Sequence, residues 1–468
     1  MARYGVRGCG IRAVPMTSEL VAVPPDSRWC LPTVGSHHRG TSFDALVLDG
    51  AERQALVTTR MLGRAGLRVA VAEAEDLYVP RFGPPTFASR WSGRNDALPS
   101  YHSDATSYVK GLLELLDEHP ARVLVPSMDG SIAAVRPFRS TFEDRNVALA
   151  LASEPALEVA NDKQRTLEVA KALGIPIPHT VPITNLDDTR LALAEVGYPA
   201  VLKPTRSWVT SGSTATRAVA EVVLDEHEAL EHVRRLHDMG SHVVAQQWVG
   251  GAREAVSLFY AYRNVWAAFA QRAHRTAPVL GGVSVVRESI AMPPELWSSA
   301  IGLVETLDLE GYCEVEFRRD AHGVPLLMEI NARLSGSVEA AVRSGVDFPF
   351  LLWQWSAGEP LTPMLDYRTG VRMRYLKGDV RWLRENLERQ DRPDSVPRVR
   401  ALRIFARDLL RRQAYDFVDR TDLRPAWAVL ASDIGLAGRR IGDRLRSHLG
   451  RAPTPASRAS CRHGSAGT

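Results

Sequence analysis

The stretch from residue 311 to 333, GYCEVEFRRDAHGVPLLMEINAR, predicts two strands joined by a turn. Side chains alternate faces along a strand, so Glu329 and Asn331 share one face of the second strand. If the two strands pair antiparallel, Glu316 and Glu329 lie side by side on that face. Two carboxylates this close repel one another unless a positive group lies between them.

The same hairpin carries a set of groups that suits a divalent cation. Glu316, Glu329 and Asn331 together offer two carboxylates and an amide oxygen, which are the hard oxygen ligands that Mg²⁺ prefers, and Mn²⁺ is an alternative. Arg333 follows on the same face and can bind a phosphate or carboxylate oxygen bidentately. The alternative is a solvent-facing strand edge held by surface ion pairs. A magnesium site of this type implies a nucleotide nearby.

Residues that suit a nucleotide occur earlier in the chain. Lysine occurs at only five positions, and two of them, Lys163 at a predicted helix start and Lys203 at a predicted strand end, suit phosphate binding. A Ser/Thr-rich segment at 205–216 is predicted to be a mobile loop over the phosphates. Gln247, Trp248 and Val249 are predicted to offer backbone groups and an apolar wall to adenine, and Glu254 to hold the ribose.

Composition excludes some classes of protein. The net charge of +4 is too weakly basic to argue for nucleic acid. The sequence has no run of 18 apolar residues, so we expect no membrane partner. The four cysteines have no CxxC spacing, which fits a reducing, cytoplasmic location.

The chain is predicted to combine an α/β domain with an α+β domain. Residues 1–42 are expected to be a disordered extension, and 43–155 a doubly wound α/β domain. NAD binding is not favoured there, because the first turn, DGAERQA, lacks GxGxxG. Residues 156–365 are expected to form the α+β domain. The remaining predictions are a small helical, Arg-rich region at 366–448 and a disordered tail at 449–468.

Three further residues are candidates for substrate binding. Arg272 and Arg287 flank a Gly-Gly pair and can bind a carboxylate, although a surface ion pair is the alternative. Asp129 ends a predicted parallel strand, where it can bind a substrate amine or serve as a turn residue. The Arg-rich C-terminal helices can contact acidic membranes or RNA, but a solvated helix face is the simpler interpretation.

The ordered set of Lys163, Lys203, QQWVGGARE, EVEF and MEINAR resembles the ATP-grasp superfamily. In that superfamily, biotin carboxylase, carbamoyl phosphate synthetase and D-alanine ligase have a pair of metal-binding strands that the hairpin at 311–333 resembles. The resemblance implies a pre-ATP-grasp domain followed by an ATP-grasp fold. It also implies that Lys163 and Lys203 contact ATP phosphates and that Arg333 stabilises the transferring phosphoryl group. Many members have Glu where Gln247 stands, and several glycines where the 205–216 segment has one.

The resemblance also implies an activity. Members similar to this chain are predicted carboxylate–amine ligases, in which ATP and Mg²⁺ convert a carboxylate into an acyl phosphate that an amine then attacks. Small-molecule carboxylate and amine substrates are therefore the expected partners. The oligomeric state is left open, with a homodimer as one option because dimers are common in this superfamily. Two alternatives are a nucleotide-binding scaffold without catalysis and a kinase-like protein that phosphorylates a single acceptor.

Overall fold

The computed structural model describes residues 42–78, 83–211 and 214–435. The predicted disordered extension, except residue 42, and the predicted tail lie outside these ranges, as does Gly212 of the Ser/Thr-rich segment. Within the described ranges, no helix is both long and apolar enough to span a bilayer.

The first part of the chain is built around a parallel five-stranded sheet of order β3-β2-β1-β4-β5. Its strands are β1 (Phe43–Val47), β2 (Val69–Ala74), β3 (Ser92–Leu98), β4 (Ala121–Val125) and β5 (Ala148–Leu149). Its helices are α1 (Arg53–Arg64), α2 (Ala105–Glu118), α3 (Asp129–Val135) and α4 (Arg139–Glu143). Alternate residues of β1 enter two different cores, Ala45 and Val47 on one face and Leu46 on the other. This two-sided burial explains why the residues from Ala45 to Leu48 are all apolar, and it confirms the predicted doubly wound sheet.

Two helices lead out of this sheet, α5 (Glu154–Ala160) and α6 (Lys163–Ala172). The Asp162 side chain caps α6 by accepting hydrogen bonds from the backbone N–H groups of Gln164 and Arg165, at 3.1 and 3.2 Å. Gly174 follows the helix with a φ of +71°, a conformation that suits glycine after a helix. This cap fixes Lys163 at the first position of the helix.

A four-stranded antiparallel sheet of order β10-β7-β11-β6 follows. Its elements and an adjoining hairpin are β6 (Thr180–Ile183), α7 (Asp188–Val196), β7 (Ala200–Pro204), β8 (Trp208–Ser211), β9 (Thr214–Arg217), β10 (Glu221–Val223), α8 (Glu226–Asp238) and β11 (Val243–Gln247). The prediction of an irregular loop at 205–216 was wrong, because β8 and β9 pair antiparallel there, whereas its mobility stays a prediction. Trp208 of this hairpin packs against Tyr101 and His102, with ring centroids 5.6 and 5.0 Å apart.

The largest sheet has seven strands in the order β16-β15-β12-β13-β14-β17-β18. Its strands are β12 (Arg253–Ala261), β13 (Asn264–Ala277), β14 (Val283–Ser289), β15 (Gly311–Arg319), β16 (Pro325–Asn331), β17 (Arg372–Arg374) and β18 (Ala414–Tyr415). The associated helices are α9 (Pro294–Leu307), α10 (Glu339–Ser344), α11 (Phe348–Ser356), α12 (Leu376–Glu388) and α13 (Arg398–Leu409), with another helix over 424–435. The turn between β12 and β13 lies at Tyr262 and Arg263, which both have positive φ, one residue earlier than predicted.

The C-terminal region differs from the prediction of a purely helical segment. Strands β17 and β18 come from this region and extend the seven-stranded sheet beyond β14. Helices α12 and α13 pack on the same end of the sheet, around a core that contains Val285 and Trp382. The region is therefore part of the main sheet.

Candidate active site

Two acidic residues of the hairpin lie directly opposite each other. Strands β15 and β16 pair antiparallel with Glu316 opposite Glu329 and Glu314 opposite Asn331. Directly paired residues of antiparallel strands project to the same face, so these four side chains share one face. The side-chain amide of Asn331 donates to a carboxylate oxygen of Glu316 at 3.3 Å. The predicted convergence of Glu316, Glu329 and Asn331 is present in the structure.

Cations surround the two carboxylates. Burial would raise the pKa of Glu329, but Lys163, Lys203, Arg253 and Arg333 hold it below its usual range. Burial raises the pKa of Glu316 to about 7, although the attraction of Arg253 opposes this rise. Burial also lowers the pKa of Lys203 to about 8, although nearby Glu329 opposes that shift. The strand-end lysine and the hairpin acid therefore lie within electrostatic reach of one another.

A cavity of about 330 Å³ lies beside this acidic pair. Four of the predicted site residues line it: Asp129, Lys163, Glu329 and Asn331. The ammonium group of Lys163 donates to the Ser207 hydroxyl at 2.8 Å, which ties the start of α6 to the segment before β8. The cavity is bounded by the first domain, by α6 and by the β15–β16 hairpin. The fold therefore brings distant parts of the sequence to one site.

Arg333 and Asp129 form an ion pair that joins the two domains. Arg333 donates through Nε to one oxygen of Asp129 at 2.5 Å and through Nη2 to the other at 3.2 Å. Burial alone would raise the pKa of Asp129, but Arg333, Arg217 and Lys163 hold it below its usual range. The negative charge of Asp129 is thus neutralised by Arg333, and the predicted amine contact of Asp129 competes with this pair.

The structure does not support the ribose contact predicted for Glu254. In the register of β12 with β15, Glu254 lies opposite Phe317, whereas Glu316 lies opposite Ala255, so Glu254 projects to the other face of the sheet. It is 1% exposed. Its carboxylate accepts hydrogen bonds from Arg272 at 2.9 Å and from Arg319 at 2.8 Å. A nucleotide held beside Glu329 cannot reach this group through the sheet.

The two arginines predicted to bind substrate are engaged elsewhere. Arg272 pairs with Glu254 on the face away from the acidic pair, and its substrate contact stays a prediction. Arg287 lies on the same face of the sheet as Glu316 but is fully buried. Both of its Nη atoms donate to Asp416, at 3.1 and 2.6 Å. Arg287 therefore forms an ion pair that holds the C-terminal region, which contains Asp416, against the main sheet.

The predicted adenine segment lies at the end of β11. The backbone N–H of Gln247 donates to the carbonyl of His179 at 2.8 Å, and the carbonyl of Val249 accepts from Arg318 at 3.0 Å. The Arg318 guanidinium also stacks over the Trp248 ring, 5.2 Å from its centroid. These contacts order the segment, and its adenine role stays a prediction.

Two residues of the site were not predicted from the sequence. Arg253 donates to a carboxylate oxygen of Glu316 at 2.5 Å and also to the carbonyl of Gly282. Glu314 is buried, and one of its oxygens accepts from Gln271 at 2.9 Å and from Ser335 at 3.0 Å. The alternation that identified Glu316 also applies to Glu314, so the signal for Glu314 was present. The signal for Arg253 depends on a strand register that the sequence does not show.

Comparisons with known proteins show the fold of the chain and a match to a family over part of its length. The chain has the ATP-grasp fold, and the predicted resemblance to the ATP-grasp superfamily is confirmed. Residues 268–379 match the family described as ATP-grasp in the biosynthetic pathway with Ter operon.

Solved structures share the fold at low sequence identity. A biotin carboxylase from Campylobacter jejuni has a TM-score of 0.56 and 16% identity, over 70% of this chain and 74% of that one. An L-amino acid ligase from Bacillus licheniformis has a TM-score of 0.52 and 19% identity, over 70% of this chain and 76% of that one.

Curated relatives match part of the chain. A carbamoyl phosphate synthase large chain from Saccharolobus islandicus is 25% identical over 42% of this chain and 19% of the relative. A D-alanine–D-alanine ligase from Ectopseudomonas mendocina is 25% identical over 42% of this chain and 64% of the relative. The matches thus span less than two thirds of either relative's length.

Proposed function

We propose that the protein is an ATP-dependent ligase that joins a carboxylate to an amine through an acyl phosphate. The observation that carries this proposal is the direct pairing of Glu316 with Glu329, beside a cavity that Lys163 also lines. The similarity to a D-alanine–D-alanine ligase and to an L-amino acid ligase supports the reaction class. The same proposal includes small-molecule substrates, a cytoplasmic location, a homodimeric assembly and a domain boundary near residue 155.

The acidic pair fits Mg²⁺. Within the described ranges, no three His, Cys, Asp or Glu side chains cluster as a metal site. Mg²⁺ usually takes one or two carboxylates from the protein and further oxygens from phosphates and water. Glu316 and Glu329, with the Asn331 side-chain oxygen, would hold the ion. Bound there, Mg²⁺ would neutralise charge on the nucleotide phosphates.

The protein's own groups contribute positioning and charge neutralisation. Lys163 and Lys203 are placed to bind phosphate oxygens, which would align the γ-phosphate with the substrate carboxylate. The carboxylate oxygen forms a bond to the γ-phosphorus while the bond to the ADP oxygen breaks. Arg333 is held beside the cavity by Asp129 and would stabilise the negative charge of the transferring group and of the acyl phosphate. The amine then attacks the acyl carbon, and phosphate leaves.

Replacing Glu329 tests the proposed site. We expect Glu329→Gln to lower Mg²⁺-dependent phosphate release from ATP by at least about 100-fold, because one of two carboxylate ligands is lost. Phosphate release is measured with ATP, Mg²⁺ and pairs of amino acids. Glu305→Gln, which alters an exposed glutamate of α9, is the matched control and is expected to retain normal turnover. Normal turnover by Glu329→Gln would contradict the metal assignment.

The same assay separates the proposal from its alternatives. The ligase releases phosphate only when both a carboxylate and an amine are present. Release with one acceptor alone would indicate a kinase-like reaction. ATP binding without release in any mixture would indicate a scaffold.

A further inference from the structure

A second cavity, of about 270 Å³, lies between α1, α10 and the segment that contains Asp419. Its charged lining residues are Arg60, Arg64, Arg343, Arg368, Glu339 and Asp419. Four guanidinium groups face two carboxylates in the lining, and the charge of Arg60 is matched by Asp422 at 3.0 Å, so one positive charge is in excess. The cavity beside Glu329 shares none of these lining residues, so the two cavities are separate.

The two carboxylates on the wall are already paired. Asp419 accepts a hydrogen bond from Arg64 at 2.6 Å, and Glu339 lies 2.8 Å from Arg343. Burial would raise the pKa of Asp419, but its hydrogen bonds from Arg64 and Thr421 hold it well below its usual range. Asp419 therefore stays ionised at neutral pH, and the two acids have Arg64 and Arg343 as their partners.

The other two cations in the lining are Arg60 and Arg368. Arg60 is 1% exposed and pairs through Nε with Asp422 at 3.0 Å, but its Nη1 has no hydrogen-bond partner among the described residues. Arg368 is exposed, and its Nη2 donates to the carbonyl of Arg343 at 2.6 Å. That neutral acceptor leaves the charge of Arg368 uncompensated. A guanidinium presents several N–H donors in a planar fork that suits oxyanions.

We propose that this cavity binds a compact oxyanion, either a phosphate group or a short dicarboxylate. The unpartnered Nη1 of Arg60 and the uncompensated charge of Arg368 would provide donors for such a ligand. Val57, Met61 and Val342 supply an apolar part of the lining, which suits a small organic portion of the ligand. The proposal is independent of the ligase reaction, because it uses no residue of the site beside Glu329.

Isothermal titration of the full-length protein tests the proposal. Inorganic phosphate and malonate are titrated separately at constant ionic strength. We expect saturable binding at one site, and the anion that binds more tightly distinguishes phosphate from dicarboxylate chemistry. Arg368→Ala is expected to weaken binding about tenfold, because it removes a charged donor. Arg234→Ala, which removes an exposed arginine of α8, is the matched control and is expected to bind as the parent does.

A second variant separates this cavity from the proposed nucleotide site. Lys203→Ala is expected to bind phosphate or malonate at the α1–α10 cavity with unchanged affinity. Weaker binding by Lys203→Ala, with Arg368→Ala unaffected, would place the anion at the nucleotide site and overturn the proposal. The absence of saturable binding for both anions would also overturn it.

Discussion

Two neighbouring residues, Arg253 and Glu254, project to opposite faces of β12, and only Arg253 reaches the acidic pair. The sequence correctly predicted that Glu316 and Glu329 lie side by side, because the alternation of side chains along one hairpin is a local property. The face of Glu254 depends instead on how β12 pairs with β15, across more than 60 residues of chain. A one-residue difference in register exchanges the two faces, so the sequence alone could not choose between Arg253 and Glu254.

The protonation state of Lys203 leads to a prediction at this scale. Burial lowers its pKa to about 8, and an amine is charged below its pKa and neutral above it. We therefore expect the ATP affinity to fall as the pH rises through about 8. The inflection is expected to disappear in Lys203→Arg, because arginine stays charged. The dissociation constant is measured by titration between pH 6.5 and 9.5.

The exposed Lys171 of the same chain supplies a control for this measurement. Lys171→Arg is expected to keep the inflection seen in the parent. An inflection that persists unchanged in Lys203→Arg would assign the pH dependence to another group.

At the scale of elements, the segment after β18 connects helix α1 to the main sheet. Asp416 pairs with Arg53 at 2.8 Å, Asp419 with Arg64 at 2.6 Å, and Asp422 with Arg60 at 3.0 Å. The sequence predicted a helical, Arg-rich region at 366–448, which contains this segment. It could not predict these ion pairs, because the partners are more than 350 residues apart.

Removing one of these acids leads to a prediction for stability. Asp422 is 2% exposed, and its carboxylate accepts hydrogen bonds from Arg60, from the Ser89 hydroxyl at 2.7 Å and from the backbone N–H of Arg90 at 3.0 Å. Asp422→Asn leaves the buried Arg60 charge without its counterion. We expect the free energy of unfolding to fall by about 3–5 kcal/mol, measured by urea denaturation.

A surface acid serves as the control for the unfolding measurement. Asp391→Asn changes an exposed carboxylate that lies 4.0 Å from Arg392, and we expect a change within about 0.5 kcal/mol. Equal stabilities for Asp422→Asn and Asp391→Asn would show that the Arg60–Asp422 pair does not hold the segment in place.

The segment at 205–216 shows another limit at the scale of elements. Its Ser, Thr and Gly residues are typical of a loop, and the sequence was interpreted in that way. Thr and Val also favour strands, and the residues pair as β8 and β9. Trp208 packs on Tyr101 of the first domain, and this distant contact favours the hairpin.

At the scale of the whole molecule, the hydrophobic cores do not follow the predicted domain boundaries. One core combines Leu46 of β1 with Phe317 of β15, and another combines Val47 of β1 with Phe269 of β13. The four-stranded sheet has its own core, which includes Leu202 and Ala245. The sequence predicted the order of the domains from their strand and helix patterns. It could not show which of them share a core, because that depends on packing between distant elements.

Hydrogen exchange tests this arrangement of cores. We expect the amides of β7 and β11 to exchange together through a local opening, because their core is formed only within the four-stranded sheet. The amides of β4 and β12 are expected to exchange more slowly and at one common rate, because their cores join the two larger sheets. The measurement is native-state exchange followed by mass spectrometry. Independent exchange of β4 and β12 would contradict the shared cores.

The three aspartates at 416, 419 and 422 occupy every third position, and each meets a different arginine of a single rigid helix. Because a helix cannot stretch, an insertion of one residue between Asp416 and Asp422 would offset at least one carboxylate from its partner. Within this short stretch, the residues between the aspartates should therefore tolerate changes of side-chain type better than changes of length. In related chains, its spacing would be a more reliable guide for alignment than its composition.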